Sequence, residues 1–379
     1  MAPATVLVVV AAVAANCSGA GNGSLAQGGG GGWAWCCARA LKVGVIAALG
    51  SLIIVGNGFA LLVTASSVAG WSRSSRHILL SLTAADAALA LLVVPLNLYG
   101  SLALGGEAET PPGSYCRAVA FLNSSVFASC IYSLAAISLE RYVAVFFPLR
   151  RARLLSARRV RLLIAAAWLL PPALFFPVAL PGGAVVRVYF SRASLLCCPD
   201  YASNAPYSLL LTALIFFPCA LIVTAANGRL WLAARRQRLR RGRARDVASR
   251  VLLPVVLAFH VCWLPSVVTV LYNAIAQDRV PEWVEFVAFW LPSGNGFLNC
   301  FVYFWINRSF RQKFHQLGRE LCLWDVHCSS SQGKKGAQRT PTISALVDCQ
   351  CKNMLVLPER SCSVSSTCVL LPQATKVML

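Results

Sequence analysis

Read for apolar and polar positions, the chain falls into seven long apolar stretches near 42–66, 78–102, 117–147, 160–180, 206–232, 249–275 and 283–306. A helix crosses a hydrocarbon core of roughly 30 Å with about 20 apolar residues, so each stretch is long enough to span a membrane. Spanning helices satisfy their own backbone groups, and the pattern predicts an all-α membrane protein built as a seven-transmembrane helix bundle. The intervals between them leave room only for short loops. The expected organisation is a tail over 1–40, a seven-helix domain over 41–306, an amphipathic stretch over 307–322 and a second tail over 323–379.

Composition agrees. Of 379 residues, 58% are hydrophobic and 12% charged, and the mean hydropathy is +0.66; soluble domains average about 25% charged. A net charge of +21 would suit nucleic acid, but its placement points elsewhere. Six arginines fall in 150–161 and nine in 229–250 beside one acid, Asp246, while Glu107, Glu109, Asp278, Glu282 and Glu285 lie in alternate loops. That asymmetry predicts a multi-pass plasma-membrane protein with its N-terminus outside and its arginine loops and C-terminal tail in the cytoplasm. The arginines then also meet anionic lipid, and no nucleic-acid partner is expected.

The other features are local. Residues "TVLVVVAAVAANC" look like the apolar core of a signal peptide without its basic flank. Sequons at Asn16 and Asn22 predict glycosylation on the outer side. Cys116, Cys197 and Cys198 fall in outer segments, where disulfides persist. Cys322 follows the amphipathic stretch and is a palmitoylation candidate. Deep in the spans the polar side chains are Asp86, Asn57, Asn295 and Asn299. Lipid offers them no partner, so they predict a shared polar centre in which Asp86 takes up a proton or a small cation.

Several motifs now line up. They are "GN" with Asn57, "SLTAAD" with Asp86, Cys116 at the head of the third span and "ERYVAVFFPL" over 140–149. Trp168, Pro218, "FHVCWLP" over 259–265, "NCFVY" over 299–303 and "NRSFRQKF" after it follow in order. Over about 45–322 the chain resembles a rhodopsin-like (class A) G-protein-coupled receptor, of orphan type. The resemblance implies a receptor, not an enzyme, that passes an extracellular signal to heterotrimeric G proteins by opening one end of its bundle. It implies a short eighth helix lying on the membrane, a disulfide from Cys116 to Cys197 or Cys198, and arrestin and receptor kinases as further partners. It implies Na⁺ at Asp86. Glu140, Arg141 and Tyr142 become the switch, with Arg141 paired to Glu140 in the closed form; Pro148 and Leu149 become the coupling loop, and Asn299 and Tyr303 the seventh-helix element. Phe259, Trp263 and Pro265 become the hinge, because a proline inside a helix removes a hydrogen bond and kinks it.

The chain also departs from that pattern. Cys300 replaces a proline, Cys130 a serine beside Asp86, and Ala226 a tyrosine, while Arg245 stands where an acid pairs with the switch arginine. Loss of the tyrosine disfavours the open form and like charge at Arg245 disfavours the closed one; couplings of this kind are about 1–3 kcal/mol. Appreciable ligand-free activity, with weak Na⁺ binding, is the expectation.

For the ligand, the amine-binding aspartate is replaced by Asn123, and no lysine lies between Lys42 and Lys313 to carry retinal. Matching positions put Asn123, Ser124, Phe127, Leu210, Leu211, Trp263, Ser266, Val267, Phe289, Trp290 and Ser293 around the pocket, with Glu285 at its mouth to meet a basic group. A largely apolar wall suits a neutral small molecule or lipid; the long stretch 187–201 also leaves a peptide open. An intramembrane enzyme would need more than the lone His260 in the spans, and a transporter would show repeats.

Overall fold

The computed structural model describes residues 31–65, 72–104, 111–241, 247–306, 311–316 and 319. Asn16, Asn22, Arg245, Cys322 and the tail beyond them lie outside the described residues, as does the side chain of Tyr303.

Each apolar stretch is a helix. The first runs Gly31–Ala65 and the third Gly113–Phe146; the fourth is Ala157–Ala179, the fifth Ala205–Arg241, the sixth Val247–Ala276 and the seventh Glu282–Ile306. The second begins at Arg73 under an N-cap from Ser72, whose Oγ accepts the Ser75 N–H. It continues through wide π turns at Leu89–Val93 and Gly100–Leu104. The first of these precedes Pro95, whose ring would crowd the carbonyl one turn back, and a π turn relieves that clash. Among the described residues, six of the seven are long and apolar enough to cross a membrane. The seventh differs because Ser293, Asn295 and Asn299 interrupt it, and these are the residues turned to the polar interior.

The third helix is central: 67% of its apolar window is buried, against 22% for the fourth. Outward-facing Leu221 and Ile275 are each 70% exposed, which an apolar solvent explains and water does not. The first helix starts at Gly31, ten residues ahead of the expected tail boundary, and Lys42 on it is buried against Glu282 and under the Trp283 ring. Residues 311–316 and 319 are helical, and Phe314 packs on Phe59 and Phe304 with ring centroids 5.2 Å apart in each case. That amphipathic piece is thereby seated across the first and seventh helices.

Between the fourth and fifth helices the chain forms a hairpin of β1, Val188–Ser191, and β2, Leu196–Pro199, antiparallel with Phe190 opposite Cys197. Leu195 closes its turn with φ +53°. Between the third and fourth lies a short helix, Arg151–Leu154.

Candidate functional site

Three sites emerge along the bundle axis. The first is a cavity of about 150 Å³ under the hairpin. Its walls include Asn123, Ser124, Phe127, Leu211, Trp263, Ser266, Val267 and Phe289, all expected there. Cys197, Cys198, Tyr201, Phe175 and Phe216 join them from the hairpin side and the fourth and fifth helices. Of the two leucines expected there, Leu211 lines the cavity and Leu210 does not: Leu210 is exposed on the outer face, one residue round the fifth helix. Trp290 and Ser293 are buried but do not line the cavity, and the Trp290 indole donates to the Ser194 carbonyl at 2.7 Å. Of the two aromatics expected at the hinge, Trp263 lines the cavity edge-on to Phe127 at 6.3 Å, while Phe259 lies outside the lining, buried and stacked on the wall residue Phe216 at 6.2 Å.

The hairpin closes this cavity because it is tied from several helices. Cys116 is bonded to Cys197, which resolves the choice between adjacent cysteines. Asn97 and Asn123 exchange amide hydrogen bonds at 2.9 and 3.2 Å; Asn123 also donates to the Cys197 carbonyl and Asn97 accepts the Cys197 N–H, both at 3.0 Å. The side chain at the amine-recognition position is therefore consumed by the lid.

Glu285 is corrected too. It is buried rather than open at the mouth, its carboxylate accepts hydrogen bonds from Ser191 Oγ and Ser194 Oγ on the hairpin, and it does not line the cavity, so it ties the hairpin to the seventh helix. Cys198 is a buried free thiol, and burial, with the Glu285 charge adding to it, pushes it up to about 12. Arg279 sits over the Tyr189 ring, centroid distance 4.1 Å, and burial raises that phenol well above its usual range.

The second site is the polar centre. Asn299 Nδ2 donates to Asp86 Oδ2 at 3.2 Å, and Asn57 Nδ2 donates to the carbonyls of Ile53 and Gly296 at 3.0 and 3.3 Å. Asn295 is buried, but its Nδ2 has no protein partner. Gly296 was not anticipated: a Cβ there would stand 3.1 Å from Asp86 Oδ1, so glycine lets the seventh helix approach the carboxylate. Cys300 donates from Sγ to the Gly296 carbonyl at 3.6 Å, within an unbroken helix.

The third site lies at the opposite end. Glu140 is fully buried and Leu149 is 98% exposed. Arg141 Nε stands 3.5 Å from Glu140 Oε2, but Arg151 Nη2 reaches Oε1 at 2.9 Å, a partner that the other five arginines of 150–161 concealed in the sequence. Tyr142 is within reach of Arg229 Nη1 at 3.3 Å. Beside Ala226, Asn227 Nδ2 donates to Ser138 Oγ at 3.0 Å, a link between the fifth and third helices that the motifs did not suggest.

A lidded apolar cavity, a polar centre and a charged mouth on one seven-helix axis are the parts of a signalling receptor, and sequence comparison agrees. Residues 56–303 match the family described as 7 transmembrane receptor (rhodopsin family). The chain belongs to that family. This receptor is 26% identical over 331 residues to adenosine receptor A2b of Rattus norvegicus, covering 80% of this chain and 98% of that one. It is 30% identical over 334 residues to the D(4) dopamine receptor of Mustela putorius furo, covering 74% and 91%. It is 25% identical over 291 residues to tachykinin-like peptides receptor 86C of Drosophila melanogaster, covering 70% of this chain and 56% of that one. As a member of the family it is a multi-pass membrane receptor that signals through G proteins, and not an enzyme.

Proposed function

We propose that the receptor answers a neutral, largely apolar small molecule held under the hairpin, with the hairpin end outside the plasma membrane and the Arg141 end facing the cytoplasm. The observation that carries this is the cavity wall, which among the described residues holds no acidic, basic or histidine side chain. An ammonium ligand would be desolvated there without a counter-charge, which is costly. The proteins it resembles are named for a nucleoside, a catecholamine and peptides, so likeness alone selects no ligand. Phe127 and Trp263 pass ligand contact to the hinge at Pro265, and the charged mouth opens for the G protein. Asp86 takes a proton or weakly held Na⁺ in the closed form. Arrestin and receptor kinases act on the tail after activation.

The test is guanine-nucleotide exchange on receptor-containing membranes, screened against one panel of neutral apolar compounds and one of amines. Activators are expected in the neutral panel, and Leu211→Trp, which fills the cavity, should abolish their effect. An amine that activates both wild type and Leu211→Trp would overturn the reading.

A further inference from the structure

Glu140 sits near the end of the third helix with none of its side chain exposed. A carboxylate withdrawn from water needs hydrogen-bonded partners, because losing one leaves an uncompensated buried charge. Its two oxygens are served unequally. Oε1 accepts from Ser75 Oγ at 2.6 Å and from Arg151 Nη2 at 2.9 Å. The same Arg151 nitrogen reaches Ser72 Oγ at 2.7 Å and Ser75 Oγ at 3.0 Å. Oε2 lies 3.5 Å from the Nε of Arg141 and has no hydrogen-bond partner among the described residues. Charge-assisted hydrogen bonds are about twice as strong as neutral ones, and Arg141 makes none here.

We infer that Arg151 is the principal partner of the Glu140 carboxylate and a positioning residue for G-protein coupling, holding that carboxylate whether or not Arg141 remains beside it. Two consequences follow from the geometry. Departure of Arg141 does not strand a buried charge, so the charged mouth opens more easily than it would if Arg141 were the only cation there. Arg151 also begins the short helix two residues after Leu149. The far end of that helix is fixed by Ser74 Oγ donating to the Leu155 carbonyl at 3.0 Å, with Leu155 buried. Arg151 and Ser74 thus clamp the loop to the start of the second helix and keep Leu149 turned outward.

Two measurements on the full-length receptor test this. In the first, thermal midpoints of purified receptor are taken for Arg151→Ala and Arg141→Ala, each with and without Glu140→Gln. Arg151→Ala should lower the midpoint by about 4 °C, Arg141→Ala by less than half as much, and the Arg151→Ala shift should shrink beside Glu140→Gln to what its bonds to Ser72 and Ser75 supply. Equal shifts for the two arginines, or an Arg151→Ala shift that persists undiminished beside Glu140→Gln, would overturn the pairing.

The second is ligand-free guanine-nucleotide exchange at matched surface density across the Gα classes. Arg151→Ala should reduce it by about fivefold or more, since Arg141 is then the only cation on Glu140, and Arg151→Lys should recover part of the loss. Exchange that is unchanged or raised in Arg151→Ala, or a wild type no more active than untransfected membranes, would overturn the coupling role. If Arg151→Ala fails to reach the surface, Arg151→Gln and Arg151→Lys carry the same comparison.

Discussion

The two ends of this bundle hold their loops by different means. At the hairpin end a covalent bond, a pair of buried amides, a buried carboxylate and an indole converge on β1, β2 and their turn from the second, third and seventh helices. At the arginine end one carboxylate and three serines hold a short helix, and the two arginines beside that carboxylate are 40% and 33% exposed. Buried, mutually satisfied contacts are rigid, because breaking any one strands the others. Arg141 is partly exposed and water can replace its 3.5 Å contact, so it leaves at small cost while Arg151 still holds the buried carboxylate. A receptor that must swing at one end gains by fixing the other.

The comparison breaks most severely at the disulfide. Cys116 and Cys197 are 81 residues apart, and a closed loop of that size is worth about 4 kcal/mol against an open chain. Helices already inserted in a membrane are less free than such a chain, so Cys197→Ser is expected to cost about 2–4 kcal/mol. Purified Cys197→Ser should show the largest fall in thermal midpoint of any single change at either end; a midpoint matching wild type would mean that the noncovalent ties alone fix the lid.

Asn123→Ala comes next. It removes the exchange with Asn97 and strands the Cys197 carbonyl, and an unsatisfied buried polar group costs about 1–3 kcal/mol. Its loss should appear as faster hydrogen exchange of the Cys197 amide, with the helices protected as before. Exchange unchanged at β2 would show that the amide pair supports the helices more than the lid.

What the sequence revealed follows the same division. The seven helices were legible because a bilayer demands long apolar runs, and Asp86 and Glu140 because lipid makes isolated charges conspicuous. Features that depend on a partner far along the chain were not. Neighbours on a strand point to opposite faces, so only the register of β1 on β2 decides between Cys197 and Cys198. The role of Glu285 depends on two serines 94 and 91 residues away in sequence. Leu210 and Leu211 are equally apolar, and only the rotation of the fifth helix separates them. Arg151 was hidden among like residues, and Gly296 gains its meaning from the nearness of Asp86.

Glu285→Gln should have a smaller effect than either lid change above, because the amide keeps an oxygen to accept from Ser191 and Ser194 while losing the charge. A fall of about 1 kcal/mol is expected. The charge also helps to hold the Cys198 thiol high, so its removal should speed labelling of Cys198 by iodoacetamide near pH 9. Labelling that is equally slow in both proteins would mean that burial alone protects the thiol.

The smallest effect on stability is expected at the other end, where Leu149→Ala removes a side chain that touches almost nothing. Substitutions at such sites stay within about 0.5 kcal/mol, so the thermal midpoint should not move. Nucleotide exchange should nonetheless fall, because a fully exposed leucine held in place by an anchored helix is suited to enter an apolar pocket on a partner. The pairing of those two readouts is what sharpens the comparison: Cys197→Ser should move stability first and signalling as its consequence, while Leu149→Ala should move signalling alone. A Leu149→Ala receptor that loses stability, or one that exchanges nucleotide as wild type does, would show that the arginine end is built on the same rigid plan as the lid.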